Sequence, residues 1–242
     1  MSELINKPYF KGLNNNQLKI IAMITMLIDH IGVAFFPSIK ILRCIGRIAF
    51  PIYAYMIAEG CRYTKNSKKY LAMIAGMAFI FQIVYFVFMN SLYQGILVTF
   101  SLSIGAIFAI DTFIKNKNIV NRILMAIIIL FIFTVSTVFP VIFKAYGFKL
   151  DYGMWGLCFP ILVYFAPSKI WRIILSAIFL IFMSLSTNVL QWWSLLTIPL
   201  FMLYNGERGS KKLKYVFYLF YPIHLVIIYA IMFLLTIIKN FK

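Results

Sequence analysis

Acidic residues are scarce in this chain. Of 242 residues, six are Asp or Glu and 23 are Lys or Arg, which gives a formal net charge of +17. On a soluble protein this excess would suggest nucleic-acid binding, but no basic stretch is combined with a module that reads nucleic acid. Only 12% of the residues are charged and 63% are hydrophobic, whereas soluble domains carry about 25% charged residues. We therefore expect membrane lipids as partners and no nucleic acid.

Cysteine and histidine are also rare, with three and two residues. Cys44, Cys61 and Cys158 lie in or beside apolar runs, their number is odd and no CxxC pair occurs, so no disulfide framework or metal site is predicted. No HExxH zinc motif is present, and neither is a GxxxxGK[ST] phosphate loop, a GxGxxG turn or a GxSxG elbow. NTP hydrolysis and Rossmann-type cofactor binding therefore have no support.

The chain does contain long apolar runs. A helix needs about 20 apolar residues to cross a bilayer. Nine runs approach this length, and the sixth and eighth are the shortest: 17–36, 40–62, 68–89, 95–114, 119–139, 152–166, 170–187, 189–204 and 214–238. The predicted fold is all-α, a polytopic integral membrane bundle of about nine transmembrane helices that forms a single domain over residues 1–242.

The distribution of charge predicts the orientation of these helices. If the N-terminus is cytoplasmic, most of the 23 Lys and Arg fall on the inner side, as the positive-inside rule requires. The loops 90–95 and 186–191, predicted to be outside, contain no charged residue. Residues 1–16 are polar, without a short apolar core and cleavage site, and we interpret them as a cytoplasmic tail. We expect a multi-pass protein of the cell (cytoplasmic) membrane.

Asp29 and His30 lie together inside the first apolar run. A charged residue at the centre of a membrane helix costs at least about 2.5 kcal/mol, and such residues are usually functional. Arg47 falls at a similar depth in the next run, and Arg43 shares its helix face one turn away. The simplest arrangement is an Asp29–Arg47 ion pair beside His30. A network that only holds helices together is the alternative.

Along the second run, polar residues recur at intervals of four and are interrupted once by a proline: Arg43, Arg47, Pro51, Tyr55 and Glu59. This spacing predicts a polar line down one side of the helix, with a kink at Pro51. Glu59 ends the line near the inner surface, where pairing with a neighbouring Lys or Arg is the simpler explanation.

The second histidine, His224, lies near the middle of the last run. Tyr221 precedes it by one turn, and Pro222 is predicted to kink the helix. His224 therefore either belongs to a site or bonds a backbone carbonyl near Pro222.

Six segments carry a resemblance to the TraX family: LKIIAMITMLIDHIG (18–32), LRCIGRIAFPIYAYMIAEGCRYTKN (42–66), VTFSLSIGAIFAID (98–111), DYGMWGLCFPILVYF (151–165), LYNGERG (203–209) and KYVFYLFYPIHLVIIY (214–229). The founding member of that family N-acetylates pilin in a conjugation system. More distantly, the chain resembles the polytopic membrane acyltransferases that acetylate sugars. The resemblance implies acetyl transfer from cytoplasmic acetyl-CoA, without a metal, to an amine or hydroxyl of a membrane-presented acceptor, either a pilin-like N-terminus or a surface glycan.

By motif position, the resemblance implies that His30 is the base. Asp29 would then orient its ring and Arg47 or Arg43 would stabilise the oxyanion; alternatively, Arg43 binds the acceptor and Arg47 is structural. The expected substrate-binding residues are Arg43, Tyr55, Glu59, Tyr221 and His224. The residues expected to bind the polyanionic acetyl-CoA are Arg62, Asn205, Arg208, Lys211 and Lys212. The same pattern leaves open an acetyl-enzyme intermediate or direct transfer. The alternative function is a small proton-coupled transporter or channel that uses Asp29, His30 and Arg47 as a relay.

Overall fold

The computed structural model describes residues 12–240, apart from the side chains of Phe88, Lys211, Lys214, Tyr215, Tyr218, Lys239 and Asn240. This part of the chain is almost entirely helical, with two strands of two residues each. Its α-helices are α1 (Asn15–Phe35), α2 (Lys40–Gly46), α3 (Ala49–Tyr63), α4 (Ser67–Met89), α5 (Ile96–Lys115), α6 (Ile119–Phe133), α7 (Phe139–Ile142), α8 (Gly153–Phe165), α9 (Lys169–Ser186), α10 (Thr197–Leu203) and α11 (Lys214–Asn240). The strands are β1 (Tyr93–Gln94) and β2 (Lys149–Leu150).

Within residues 12–240, seven helical stretches are long and apolar enough to cross a membrane: Asn15–Phe35, Lys40–Tyr63, Ser67–Val87, Ile96–Lys115, Ile119–Ile142, Lys169–Ser186 and Leu219–Ile238. Two shorter apolar segments, Gly153–Phe165 and Val189–Leu203, coincide with the sixth and eighth predicted spans. The all-α prediction is confirmed in this form. The count of nine spans is not confirmed, because these two segments are shorter than a span of ordinary length.

The second predicted span is interrupted earlier than expected. α2 ends at Gly46 and α3 begins at Ala49, with a turn at Arg47 and Ile48 between them. The predicted kink at Pro51 is therefore misplaced by one turn. Pro51 lies in the first turn of α3, has no amide hydrogen for the Arg47 carbonyl, and its ring would clash with that carbonyl in a continuous helix. The break consequently lies where the missing hydrogen bond would have been.

The chain divides into two compact units, whose boundaries fall inside α3 and α9. Unit 1 contains the residues up to Tyr53 and those from Leu180 onward. In this unit α1 packs against α2 and α11. Gly32 and Gly46 allow the close approach of α1 and α2, because a Cβ at Gly32 would press on Leu42 and one at Gly46 would overlap Asp29.

A short apolar segment crosses unit 1. It consists of a 3₁₀ helix, Val189–Leu196, followed by α10. The 3₁₀ helix packs against α2. At the other end, the amide of Leu13 donates to the Leu203 carbonyl at 2.8 Å and the amide of Asn205 donates to the Leu13 carbonyl at 2.9 Å. The segment therefore extends from α2 to the N-terminal end of α1.

Unit 2 contains Ala54–Phe179, and its α5 packs against α4, α6 and α8. The strands β1 and β2 pair in parallel, and the Asp151 amide donates to the Gln94 carbonyl at 2.9 Å. Thr99 Oγ1 donates to the Asp151 carbonyl at 3.0 Å, close to the start of α8. α8 thus begins beside the connection between α4 and α5.

The other end of α8 lies beside the end of α3. Arg62, in the last turn of α3, donates from Nη2 to the carbonyl of Tyr164 at 2.6 Å and to that of Val163 at 3.3 Å. These carbonyls belong to the last turn of α8, where no further helical amide can satisfy them. Although it has only 13 residues, α8 therefore extends from the connection between α4 and α5 to the end of α3.

Candidate functional site

Asp29 forms an ion-paired cluster with two arginines, which we call the Asp29 cluster (Asp29, Arg43 and Arg47). Arg47 Nη2 lies 3.2 Å from Oδ1 and 3.1 Å from Oδ2 of the carboxylate, and Arg43 Nε lies 2.9 Å from Oδ1. The structure therefore contains the predicted Asp29–Arg47 ion pair and adds Arg43 to it. Because one carboxylate faces two guanidinium groups, the cluster retains an excess positive charge.

The two arginines of the cluster differ in exposure. The Arg47 side chain is 13% exposed and also donates from Nε to the Arg43 carbonyl at 3.3 Å. The Arg43 side chain is 36% exposed. Its terminal nitrogens have no hydrogen-bond partner within the described part of the chain. Arg47 is thus held within the protein, whereas Arg43 has donors available to a ligand.

Both histidines of the chain meet in unit 1 and form what we call the histidine pair (His30 and His224). His30 Nδ1 lies 2.7 Å from His224 Nε2, and His224 Nδ1 lies 2.7 Å from the carbonyl oxygen of Phe220. His224 is 4% exposed, whereas His30 is half-buried. Asp29 does not share a hydrogen bond with His30 among the described residues. The His30 ring is therefore hydrogen-bonded to His224 and not to the neighbouring carboxylate.

Unit 2 contains a second ion-paired group, the Glu59 cluster (Glu59, Arg62 and Arg172). Glu59 is 1% exposed, and its Oε1 lies 3.0 Å from Arg62 Nη1 and 2.7 Å from Arg172 Nη1. Tyr55, one turn before Glu59, is fully buried and lies within electrostatic range of all three residues. Glu59 and Arg62, expected to bind substrate and acetyl-CoA, thus already have partners inside the protein.

The segment 204–210 forms an ordered loop on the N-terminal end of α1. Asn205 Oδ1 accepts from the Glu207 amide at 2.8 Å, and the Glu207 carbonyl accepts from the Asn15 amide at 2.8 Å. Gly209 has φ +75° and lies so close to Asn16 that a Cβ would collide with that side chain. The loop is therefore anchored to the start of α1, and Arg208 in it is exposed at the surface.

Two further basic residues lie near this loop. Lys19 is half-buried, lies above the Phe217 ring at 5.3 Å and is within electrostatic range of Arg208. Lys212 is exposed. The side chain of Lys211, also expected to bind acetyl-CoA, lies outside the described part of the structure.

Comparison with known families places this arrangement in a family. A family model described as TraX protein matches residues 14–232. The chain belongs to the TraX family. The matched range contains the Asp29 cluster, the histidine pair and the 204–210 loop.

Two similar proteins accompany this TraX match. The TraX chain is 25% identical over 241 residues to a probable fimbrial assembly protein FimC, serogroup H1, of Dichelobacter nodosus, and the match covers 88% of this chain and 93% of the relative. It is 44% identical over 50 residues to an uncharacterized protein of Rickettsia prowazekii (strain Madrid E), which covers 21% of this chain and 18% of that protein. No solved structure matches the chain significantly.

The structure also identifies contacts of this TraX chain that sequence reasoning missed. The histidine pair and the Glu59–Arg172 ion pair join residues 194 and 113 positions apart. No periodicity relates positions so distant. The sequence did carry one general signal. A buried Glu59 requires a basic partner, and a histidine inside a long apolar helix requires a hydrogen bond. Among the described residues, no group of three His, Cys, Asp or Glu side chains could hold a metal ion.

Proposed function

We propose that this protein is an integral-membrane acetyltransferase that moves an acetyl group from acetyl-CoA to an amine or hydroxyl of a membrane-presented acceptor. Membership of the TraX family supports the reaction class. The name of the Dichelobacter relative, a probable fimbrial assembly protein, favours a pilin-like subunit with a free N-terminal amine as the first acceptor to test. A surface-glycan hydroxyl is the second acceptor class, because the same chemistry acetylates both.

The observation that carries the proposal is the surroundings of His30. The Nε2 edge of its ring has no hydrogen-bond partner among the groups that the structure describes, whereas the Nδ1 edge is bonded to His224. In the proposed reaction, the nitrogen or oxygen of the acceptor attacks the thioester carbonyl. As it does so, Nε2 of His30 accepts the proton of that amine or hydroxyl. The C–S bond then breaks, and the leaving CoA thiolate takes the proton from His30 to become the thiol.

The Asp29 cluster supplies charge stabilisation in this scheme. The excess positive charge of the cluster favours the oxyanion that develops on the thioester carbonyl. Arg43 is the preferred donor, because its side chain is partly exposed and its terminal nitrogens have no partner among the described residues. Arg47, held by both oxygens of Asp29, fixes the position of the carboxylate and through it Arg43.

We assign the phosphates of acetyl-CoA to the surface formed by Lys19, Arg208 and Lys212, with Asn205 stabilising the loop. Phosphate groups form strong charge-assisted hydrogen bonds with Arg and Lys. The internal hydrogen bonds of the 204–210 loop support this assignment, because a preordered loop loses little entropy when a ligand binds.

We also propose nine spans with the N-terminus in the cytoplasm, in the cell membrane. Arg208 and the N-terminal end of α1 are then on the cytoplasmic side, where acetyl-CoA is present. The two short apolar segments, α8 and Val189–Leu203, support nine spans, because each extends between elements that lie at opposite ends of the predicted bundle. α8 extends from the connection between α4 and α5 to the end of α3, and Val189–Leu203 extends from α2 to the start of α1.

The transporter alternative has less support from the hydrogen bonds of the histidine pair. A proton relay requires each member to pass its proton onward, and His224 Nδ1 is bonded to a peptide carbonyl. A carbonyl oxygen accepts a hydrogen bond but does not release a proton of its own. The hydrogen-bonded chain that begins at His30 therefore ends at Phe220.

Reconstituted protein tests the proposal. Purified protein in lipid vesicles is supplied with acetyl-CoA labelled in the acetyl group and with either a pilin-like N-terminal peptide or a glycan acceptor. The expected result is release of CoA thiol in step with an acceptor heavier by one acetyl group. His30→Gln should lower this rate about 10²–10⁴-fold, the usual contribution of a general base. Thermal unfolding should show that the variant is still folded.

The matched control is Lys117→Gln, which changes an exposed residue between α5 and α6 and should leave the rate unchanged. Normal acetyl transfer by folded His30→Gln would exclude His30 as the base. Proton or solute flux into vesicles without acetyl-CoA, together with no acetylation of either acceptor, would favour the transporter.

A further inference from the structure

The hydrogen-bond geometry of the histidine pair determines which nitrogens carry hydrogen. The two rings are inclined by only 16°, with centroids 5.0 Å apart. His30 Nδ1 and His224 Nε2 are 2.7 Å apart. A centroid separation of 5.0 Å together with this short distance indicates a hydrogen bond in the plane of the rings, between their edges, and not face-to-face stacking. One nitrogen must donate and the other must accept.

The carbonyl of Phe220 decides the direction of this bond. A peptide carbonyl can only accept, so the 2.7 Å contact requires a hydrogen on His224 Nδ1. His224 is 4% exposed and contacts no carboxylate among the described residues, so the neutral ring is strongly favoured over the charged one. A neutral ring carries a single N–H, which leaves Nε2 of His224 as an acceptor.

We infer that His224 is a positioning residue that holds His30 in the tautomer with hydrogen on Nδ1 and the lone pair on Nε2. His30 Nδ1 must donate, because the His224 nitrogen that faces it is an acceptor. The basic nitrogen of His30 is consequently the one without a protein partner, which is the nitrogen that a general base requires. The catalytic consequence rests on the proposed acetyltransferase function, whereas the tautomer assignment does not.

The surroundings of His224 keep its ring in place. The Phe220 ring stacks against it with centroids 4.6 Å apart and an interplanar angle of 9°. The Tyr221 ring meets it edge-on at 5.8 Å and 70°. Contacts on its face and its edge therefore fix the direction in which Nε2 of His224 points. When His30 takes a proton, its Nδ1–H bond to His224 becomes charge-assisted and stronger.

This role explains why the carboxylate next to His30 is not its hydrogen-bond partner. Asp29 is already shared by Arg43 and Arg47. An imidazole acceptor orients the His30 ring without adding a further negative charge to the interior. In this arrangement Asp29 stabilises the oxyanion-binding arginines, and His224 has the orienting function that the family resemblance implies for Asp29.

Nitrogen NMR tests the tautomer without any assay of activity. Because the chain has only two histidines, protein labelled with ¹⁵N-histidine and purified through a tag without histidine gives signals from two rings. The expected spectrum has a protonated Nδ1 and an unprotonated Nε2 in both rings, and the His30→Gln variant assigns them. A hydrogen on Nε2 of His30 would overturn the inference.

Two substitutions of His224 then separate positioning from structure. The amide of Gln reaches approximately the position of Nε2, so His224→Gln keeps an acceptor for His30. The amide of Asn reaches only the position of Nδ1, so His224→Asn keeps the bond to Phe220 and loses the one to His30. We expect kcat to fall about 100-fold in His224→Asn, with KM for acetyl-CoA nearly unchanged, and to stay within about tenfold of wild type in His224→Gln.

The opposite order, with His224→Asn active and His224→Gln inactive, would show that only the bond to Phe220 matters and would overturn the positioning role. Equal activity of both variants and the wild type would also overturn it. If the tautomers are as expected but wild type acetylates no acceptor, the proposed function fails while the tautomer assignment stands.

Discussion

Arg172 Nη1 lies 2.7 Å from Oε1 of Glu59, although the two residues are 113 positions apart in the sequence. Glu59 is also bonded to Arg62, which in turn satisfies carbonyls in the last turn of α8. The Glu59 cluster therefore joins α3, α8 and α9 within unit 2, at a point where each helix begins or ends.

Glu59→Gln should destabilise unit 2. The substitution preserves shape but leaves two arginines without a counter-charge, and removal of one partner of a buried ion pair costs about 3 kcal/mol or more. Thermal unfolding in detergent measures the loss. Lys115→Gln is the control, because the Lys115 side chain that pairs with Asp111 is 73% exposed and ion pairs at the surface contribute about 0–1 kcal/mol. Equal unfolding temperatures for Glu59→Gln and wild type would contradict the structural role of the cluster.

Arg43 and Arg47 should respond differently to replacement by lysine. Arg47 contacts both oxygens of Asp29 through Nη2 and the Arg43 carbonyl through Nε. A lysine has a single nitrogen and cannot keep both sets of contacts, so Arg47→Lys should lower the unfolding temperature. Arg43→Lys should leave the unfolding temperature close to that of wild type, because the Arg43 side chain is partly exposed. It should lower kcat, because an ammonium group replaces the guanidinium that donates to the oxyanion. Parallel melting curves and acetyl-transfer rates measure both effects. A loss of stability in Arg43→Lys with normal kcat would reverse the assignment of the two arginines.

Gly46→Ala should disturb the contact between α1 and α2. The added methyl group would overlap the Asp29 side chain, and overpacking of this kind costs about 1–3 kcal/mol. We expect a lower unfolding temperature and reduced acetyl transfer, because Asp29 must move. Gly76→Ala is the matched control, since a Cβ there has no neighbour within 4 Å. If both alanine variants behave alike, the close approach at Gly46 is not required.

Reversal of charge at the loop should weaken the binding of acetyl-CoA. Arg208→Glu is expected to raise KM for acetyl-CoA about tenfold, the usual effect of losing a hydrogen bond to a charged group, with kcat nearly unchanged. The effect should shrink in high salt, which screens exposed charges. Lys117→Glu, an equal change of charge at an exposed site elsewhere, should not raise KM. A rise in KM for both variants would indicate a general effect of net charge.

Labelling of single cysteines distinguishes nine spans from seven. In a background without Cys44, Cys61 and Cys158, a cysteine at Ser168 should react only from the cytoplasmic side, and one at Asn188 only from the outer side. If α8 and the Val189–Leu203 segment do not cross, the two positions exchange sides. A membrane-impermeant thiol reagent applied to whole cells and to inverted vesicles measures the difference.

Hydropathy alone located the helices, because burial of apolar residues in lipid depends on local composition and length. All seven long helical stretches lie within predicted spans or extend them by a few residues at their ends. The Asp29–Arg47 pair was also predictable, since a short loop joins the two helices and places residues near it at similar depths. The break at Arg47 was predictable in principle from Pro51, because proline removes the hydrogen bond one turn upstream.

The sequence did not predict which distant polar residues form hydrogen bonds or ion pairs with each other. Sequence indicated that Asp29, His30, Glu59 and His224 each needed a partner, because an unpaired polar group inside a membrane is costly. The family resemblance implied Asp29 as the residue that orients His30. Neighbours in a helix point in directions about 100° apart, however, and do not face each other.

The sequence by itself thus determined the apolar helices, the family and the short set of polar residues that must be satisfied within them. Only the tertiary structure decided that His30 faces His224 across 194 positions, that Asp29 is shared by two arginines, and that Glu59 joins three helix ends. The physical reason is that hydropathy is a property of each segment, whereas a hydrogen bond depends on where helix packing places two particular side chains.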